Sequence, residues 1–179
     1  MHALGAACDG KAASGLTAAD SLVPNSGVSG TYVLILRSTR GSPVVVGQLG
    51  VLHLEPGYYA YVGSALGPGG LGARLGRHLQ GPGRVHWHID YLRAQADPVE
   101  AWYSFGHLRR EHRWSDALQS RSDAAIPLLG FGASDCRCDS HLFFFTRRPS
   151  LPDFRAKLRR QGLPAEPLFR WLAGDPATS

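Results

Sequence analysis

Two tyrosine-bearing segments about thirty residues apart constrain the fold of this chain more than any other feature of its sequence. Gly30-Thr31-Tyr32 opens the apolar run 32–36, and Tyr61-Val62-Gly63 closes the apolar run 58–62. Such short, continuous apolar runs are typical of strands that are buried on both faces. Because strands so close in sequence pair antiparallel, the hydroxyls of Tyr32 and Tyr61 are expected to meet at one edge of a sheet.

Hydrophobic periodicity and turn residues predict the remaining secondary structure. Further strands are expected over residues 44–54, 99–105 and 141–146, with Gly47 and Gly50 marking bulges or bends in the first of them. Helices are expected over residues 71–80, 86–95, 110–121, 151–161 and 166–173. The pattern predicts an α+β fold, with a small central mixed or antiparallel sheet flanked by helices.

The composition is that of one globular domain: 179 residues, 44% hydrophobic and 18% charged. Residues 1–29 are rich in Ala, Gly and Ser and are expected to form a flexible leader. The main domain is expected over residues 30–146 and a C-terminal helical extension over 147–179. With neither a membrane-length apolar run nor a secretory signal pattern, we expect a cytoplasmic protein without a membrane partner.

The net charge of +5 comes almost entirely from arginine, since Lys11 and Lys157 are the only lysines. The planar fork of arginine suits phosphate better than the point charge of lysine does. A basic protein that binds nothing acidic has the same composition, so charge alone leaves nucleic-acid binding open.

The helix over residues 71–80 carries polar side chains beside its apolar face. Its leucines form a single apolar arc: Leu71, Leu75 and Leu79. Arg74 and His78 lie one turn apart next to this arc, where the wall of a cleft would be, and Arg77 points further outward. An amphipathic helix whose arginine merely extends toward solvent would show the same pattern.

Glu111 is the acidic residue with the most unusual predicted position. It shares a helix face with Trp114 and Leu118, so its carboxylate points inward and needs a partner or a metal ion. The alternative is a glutamate that interacts favourably with the helix N-terminus.

Two groups of residues offer metal ligands. Cys136, Cys138 and His141 are close in sequence, and a further histidine, His86, His88 or His112, could complete a zinc site. Structural zinc favours cysteines with two to four residues between them, whereas only one residue lies between these two. Buried cysteines and a capping histidine are therefore the preferred interpretation, with structural zinc as the alternative. His86 and Asp90 are expected to form a hydrogen-bonded pair at the rim of a cleft.

In their order along the chain, these residues resemble the GIY-YIG nuclease superfamily and, within it, a less characterised Uri-like branch. The resemblance extends over about residues 30–145. It rests on the tyrosine strands and on five segments of the chain: Tyr58-Tyr59-Ala60-Tyr61-Val62-Gly63-Ser64-Ala65, Arg74 to His78, His86-Trp87-His88-Ile89-Asp90-Tyr91-Leu92, Gly130-Phe131-Gly132-Ala133-Ser134-Asp135-Cys136-Arg137-Cys138 and His141-Leu142.

The resemblance implies a divalent-metal-dependent endonuclease that hydrolyses phosphodiester bonds in DNA. Glu111 would hold one Mg²⁺ or Mn²⁺ ion, and Arg74 would neutralise charge on the phosphate. Tyr32, helped by Tyr61, would position or deprotonate the attacking water, with His78 as an alternative base. The residues expected to bind nucleic acid are Gly63, Ser64, Arg77, His86 and Asp90.

The chain departs from the superfamily pattern in three places. It lacks the late asparagine of many members, because its only asparagine is Asn25. Thr31 replaces the usual central isoleucine, and His112 stands where the branch tends to have cysteine. Two other functions stay open: a nucleic-acid-binding module without turnover, and a zinc-stabilised interaction domain. The sequence does not indicate DNA or RNA preference, or an oligomeric state.

Overall fold

The structure is a computed structural model that describes residues 27–81, 84–162 and 167–174. Residues 1–26 of the expected leader lie outside the described part. Val28 and Ser29, which were also assigned to that leader, contact the domain. The carbonyl of Val28 accepts a hydrogen bond from Leu71 N–H, and that of Ser29 accepts one from Gly106 N–H.

The described residues form four helices and seven strands, in two sheets, which confirms the α+β prediction. The strands are β1 (Gly30–Ser38), β2 (Ser42–Val46), β3 (Gly50–Leu54), β4 (Gly57–Ala65), β5 (Asp97–Phe105), β6 (Leu142–Phe145) and β7 (Phe169–Leu172). The helices are α1 (Gly70–Gln80), α2 (His88–Arg93), α3 (Glu111–Gln119) and α4 (Leu151–Arg160).

Five strands make a central sheet in the order β6-β4-β1-β5-β7, and each neighbouring pair is antiparallel. The middle strand β1 is fully buried from Tyr32 to Leu36, as its continuous apolar run predicts. In the register of β1 with β4, Tyr32 lies opposite Gly63 and Leu34 opposite Tyr61. Both tyrosines therefore share one face of the sheet, with Tyr32 near the start of β1 and Tyr61 at the middle of β4. They lie on interior strands rather than on an edge strand.

Two of the predicted elements are wrong. The expected strand over residues 44–54 is a hairpin, β2 paired with β3, because the chain reverses at Gly47, whose φ is 50°. The expected helix over residues 166–173 is instead the edge strand β7, which pairs with β5; residue 166 itself lies outside the described part. At β7, pairing with a strand that is distant in sequence determines the local structure, and sequence periodicity carries no information about such pairing.

Each face of the central sheet is covered by its own apolar core. On one face, α1, α2 and the β2–β3 hairpin pack over Leu34, and Leu71 and Ile89 belong to this core. On the other face, α3 and α4 pack over Trp102 through Trp114 and Phe154. In the described part of the chain, no helix combines the length and the apolar character needed to cross a bilayer.

Gly63 is required by the packing of Tyr32 against β4. A Cβ at this position would lie 2.5 Å from the Tyr32 ring, closer than real Cβ atoms come to other groups. We expect Gly63→Ala to lower the free energy of unfolding by about 1–3 kcal/mol, the usual cost of overpacking a core. Denaturant unfolding measures this change.

Gly76→Ala is the matched control, since Gly76 is also buried but lies inside α1 with nothing within 4 Å of an added Cβ. It should raise stability by roughly 0.4–1 kcal/mol, because alanine restricts the unfolded chain. Equal effects of the two variants would contradict the close packing of Tyr32 on Gly63.

Candidate active site

Tyr32, Tyr61 and His78 form an aromatic cluster over the strand pair β1–β4, between its middle and the end that carries Gly30 and Ala65. The ring centroids of the two tyrosines are 6.4 Å apart, and His78 lies 6.0 Å from Tyr32 and 6.5 Å from Tyr61. All three side chains are buried. The structure therefore brings together the two strand tyrosines and the helix histidine, as the sequence analysis expected.

Arg74 lies beside both tyrosine hydroxyls. Burial raises the pKa of Tyr61 to about 12, and the positive charge of Arg74 opposes this rise. Burial also raises the pKa of Tyr32 far above its usual value, with Tyr61 adding to the shift and Arg74 again opposing it. Both phenols are thus protonated near neutral pH. The Arg74 side chain lies within hydrogen-bonding range of both hydroxyls, while the buried atoms Tyr32 Oη and Arg74 Nε lack a well-aligned partner.

His78 is held neutral by its surroundings. The pKa of His78 is lowered to about 4. Burial is the main cause, and the neighbouring positive charge of Arg77 is the second. The Nδ1 atom of His78 lies 3.8 Å from Asp90 Oδ1, whereas its buried Nε2 has no hydrogen-bond partner. A neutral imidazole can accept a proton, but a pKa this low makes it a weak base.

Trp87 is a site neighbour that the sequence analysis missed. The guanidinium carbon of Arg77 lies 4.2 Å from the centroid of the indole, and that of Arg74 lies 4.8 Å from it. Stacking of this kind restricts the orientation of both arginines. A tryptophan at the start of α2 carries no periodic signal, so only the packed structure identifies it.

Asp90 organises the start of α2. Its carboxylate accepts hydrogen bonds from Arg77 at 2.8 and 3.0 Å and from the backbone N–H groups of His86 and Trp87 at 2.8 and 2.9 Å. The expected pair of His86 and Asp90 therefore forms through the His86 backbone and not through its ring. Arg77, which was expected to point outward, is tied to the same carboxylate.

Glu111, the first residue of α3, is held between the sheet and the segment that precedes β6. Ser64 Oγ donates a 2.6 Å hydrogen bond to Glu111 Oε2. His141 Nδ1 lies 3.0 Å from Glu111 Oε1 without the alignment of a regular hydrogen bond. Burial alone would raise the pKa of Glu111, but His141, Ser64 and the charge of Arg74 hold it below its usual range. The carboxylate is therefore ionised at neutral pH.

Glu111 faces the tyrosine cluster from the other side of the sheet end. Its negative charge raises the pKa of both Tyr32 and Tyr61, so the carboxylate lies within electrostatic range of the phenols. Its side chain keeps 21% of its surface exposed. One ionised, partly exposed carboxylate fits the way Mg²⁺ binds proteins, with a few carboxylate oxygens and several retained waters.

A second group of ligands lies directly beside Glu111. One ligand atom from each of His112, Cys136, Cys138 and His141 lies within 4.8 Å of the other three. This cluster could bind a metal ion, so the interpretation of the cysteines as simple buried residues is incomplete. The sequence analysis named His112 as one of three possible completing histidines, and the fold selects it because α3 begins next to the cysteine loop.

The loop before β6 fits closely between the two groups of ligands. A Cβ at Gly132, whose φ is 72°, would lie 2.9 Å from the Tyr61 ring and 3.2 Å from His141 Cβ. The backbone N–H of Gly132 donates to His88 Nδ1 at 3.1 Å, which explains why His88 is not among the clustered ligands. Because residue 132 is a glycine, its loop can contact both the Tyr61 ring and His141.

Comparison with known proteins identifies the family. A family model described as a domain of unknown function, DUF123, matches residues 31–162, which contain all of the site residues above. The chain belongs to this DUF123 family. No curated protein and no solved structure matches it.

The neutral state of His78 predicts a dependence of stability on pH. Because its pKa is about 4 in the folded protein and near 6.5 when unperturbed, the unfolded chain binds a proton first as the pH falls. The unfolding free energy should therefore decrease between pH 6.5 and 4, by on the order of 3 kcal/mol from this group. In His78→Gln, the decrease over this range should be smaller, as measured by denaturant unfolding at several pH values.

The exposed residue His53 on β3 supplies the control. His53→Gln should show the same pH dependence as the parent protein. If His78→Gln also kept the full pH dependence, the neutral, buried state of His78 would be contradicted.

Proposed function

We propose that this protein is a divalent-metal-dependent endonuclease of the GIY-YIG type. The observation that carries the proposal is the meeting of two buried phenols, a guanidinium and an ionised carboxylate toward one end of the strand pair β1–β4. The four groups are Tyr32, Tyr61, Arg74 and Glu111. Family membership alone leaves the activity open, because the DUF123 description names none.

The proposed substrate is DNA, a polyanion that suits the net charge of +5 and the arginine-rich composition. Arg74 would contact a phosphate oxygen, since its side chain is only partly buried and its positive charge lies beside both tyrosine hydroxyls. Stacking on Trp87 would hold the guanidinium in place for this contact. Charge developing on the phosphate would then be neutralised by a group that is already oriented.

Glu111 is the proposed ligand of Mg²⁺ or Mn²⁺, with waters completing the coordination shell. When bound there, the cation would polarise the scissile phosphate and stabilise the leaving oxygen. The contacts of Glu111 with Ser64 and His141 fix the direction of its carboxylate and keep it ionised. Ser64 therefore acts on the site through Glu111 in this proposal, and not only through nucleic acid.

Tyr32 is proposed to orient the attacking water through its hydroxyl. Burial strongly disfavours the phenolate, so hydrogen bonding by the neutral hydroxyl is the role that the protein supports by itself. The positive charge of Arg74 opposes the rise in the Tyr32 pKa that burial causes. This charge would favour transfer of a proton from Tyr32 during the reaction. Tyr61 would help to orient the same water. His78 is the alternative base, with an unpartnered Nε2.

The proposed nucleic-acid contacts differ in strength of support. The exposed ring of His86 and the partly exposed Arg77 could reach a phosphate backbone beside the site. Asp90 is occupied by Arg77 and by backbone N–H groups, so its role would be to hold Arg77 in place. Gly63 contributes by admitting Tyr32.

Glu111→Gln is the main test of this function. The amide keeps the size of the side chain but removes the charge that would bind the cation. We expect cleavage of labelled single-stranded, duplex or branched DNA to be abolished, while binding of the same DNA is retained. The assay compares Mg²⁺, Mn²⁺ and EDTA.

Glu55→Gln, which alters an exposed glutamate, should cleave like the parent protein. Cleavage by Glu111→Gln at the parent rate would refute the metal assignment. Parent protein that binds DNA but cleaves none with either cation would favour the nucleic-acid-binding module instead.

Tyr32→Phe tests the role of the hydroxyl. Loss of a group that orients or deprotonates water should lower the single-turnover rate by about a hundredfold or more. Stability should change by no more than about 1 kcal/mol, because the ring is kept and only the poorly aligned contact of Tyr32 Oη with Arg74 is lost.

Tyr59→Phe is the matched control. Tyr59 Oη accepts a 2.7 Å hydrogen bond from Glu55 N–H, away from Arg74 and Glu111, so this variant should lose stability and keep its rate. A fully active Tyr32→Phe protein would transfer the role of base to His78.

A further inference from the structure

The His/Cys cluster beside Glu111 is assembled from separate parts of the chain. His112 comes from the first turn of α3, Cys136 and Cys138 from the preceding loop of β6, and His141 from the residue just before that strand. His141 is fixed by its backbone, since its carbonyl accepts a hydrogen bond from Val62 N–H on β4 and its N–H donates to the Phe131 carbonyl. The cluster therefore joins a helix, a loop and the sheet.

The distances suit a tetrahedral metal site. Cys136 Sγ lies 3.4 Å from His141 Nε2, and all four ligand atoms lie within 4.8 Å of one another. In a tetrahedral zinc site, with bonds of about 2.0–2.3 Å, neighbouring ligand atoms are roughly 3.5–3.8 Å apart. The side chains need only a small contraction to reach this arrangement.

We propose that His112, Cys136, Cys138 and His141 bind a structural Zn²⁺ ion. Two thiolates and two imidazoles are a regular zinc ligand set, and four protein ligands leave no open coordination position. Mg²⁺ and Ca²⁺ select oxygen ligands and would not be favoured here. The protein would therefore hold two kinds of metal ion, zinc in this cluster and an exchangeable divalent cation at Glu111.

The zinc ion would also position Glu111 through His141. The Nε2 atom of His141 lies at the cluster, while the Nδ1 atom of His141 lies 3.0 Å from Glu111 Oε1. A histidine that binds metal through one nitrogen commonly donates its other N–H to a carboxylate, which fixes the ring and the acid together. Bound zinc would set the tautomer of His141 and align Nδ1–H with Glu111. His141 is a positioning residue in this arrangement, and this part of the inference rests on the proposed function.

Zinc content tests the site without any assay of activity. Protein purified without chelators should contain about one zinc ion per chain by elemental analysis. Cys136→Ser, Cys138→Ser and His112→Ala should each lose most of it, while His53→Ala, which changes an exposed histidine of β3, should keep it. His112→Cys should retain zinc, because a thiolate replaces the imidazole as ligand. The His112→Cys variant also distinguishes loss of a ligand from misfolding. Because His112 is exposed, its substitution should leave the fold intact.

Two results on the zinc protein itself would overturn the zinc site, and a third would come from cobalt substitution. One is zinc content near zero in the parent protein and in protein refolded with Zn²⁺. The other is a disulfide between Cys136 and Cys138 in freshly purified protein, detected by mass spectrometry. Cobalt refolded into the site should give the intense visible absorption of tetrahedral thiolate coordination, and weak octahedral bands would count equally against the proposal.

Mn²⁺ affinity tests the link to Glu111. Titration calorimetry on zinc-loaded and zinc-free protein should show at least about tenfold tighter Mn²⁺ binding in the loaded form, the usual scale of effects on groups that orient a metal ligand. Glu111→Gln should retain zinc and lose the Mn²⁺ site. Equal Mn²⁺ affinity in both forms would refute the positioning role. Absence of Mn²⁺ binding from both forms, in a protein that contains zinc as purified, would refute the proposed function and leave the zinc site standing.

Discussion

The site depends first on the antiparallel register of β1 with β4. That ladder pairs Gly30–Ser38 with Gly57–Ala65 and places Tyr32 opposite Gly63. Because successive residues of a strand point to opposite faces, a slip of one residue would move Tyr32 or Tyr61 to the face that packs on α3 and α4. The register is fixed by burial on both faces, since neither Leu34 nor Val33 has exposed surface. Close packing of Tyr32 on Gly63 adds a steric constraint at the same point.

The two apolar cores allow the protein to keep costly polar groups toward one end of this ladder. Tyr32 Oη and His78 Nε2 are buried without well-aligned hydrogen bonds, and His78 remains neutral. Each such group costs free energy that packing elsewhere must offset. Arg77 is held more firmly than these groups, because its terminal nitrogen binds Asp90 and its guanidinium stacks on Trp87, although its Nε also lacks a partner.

Sequence reasoning predicted the parts of this fold that depend on local pattern. Continuous apolar runs identified β1 and β4, and the leucine arc identified α1 together with its buried His78. It failed at β7, where pairing with β5 overrides a local pattern that suggested a helix. The inward direction of Glu111 followed from its spacing to Trp114. Its contacts with Ser64 and His141 depend on three segments far apart in sequence, so no spacing rule could reveal them.

The position of Glu111 explains why the neighbouring ligands matter. Its helix belongs to the core on one face of the sheet, whereas the tyrosines and Arg74 belong to the other. In the proposed function, the Glu111 carboxylate acts across the end of the sheet and therefore needs a support that spans both sides. Ser64 supplies one contact from β4, and His141 supplies the second from the segment joined to Val62. Since His112 directly follows Glu111, a metal ion bound to His112 and His141 would brace the carboxylate through the α3 backbone and through a side chain at once.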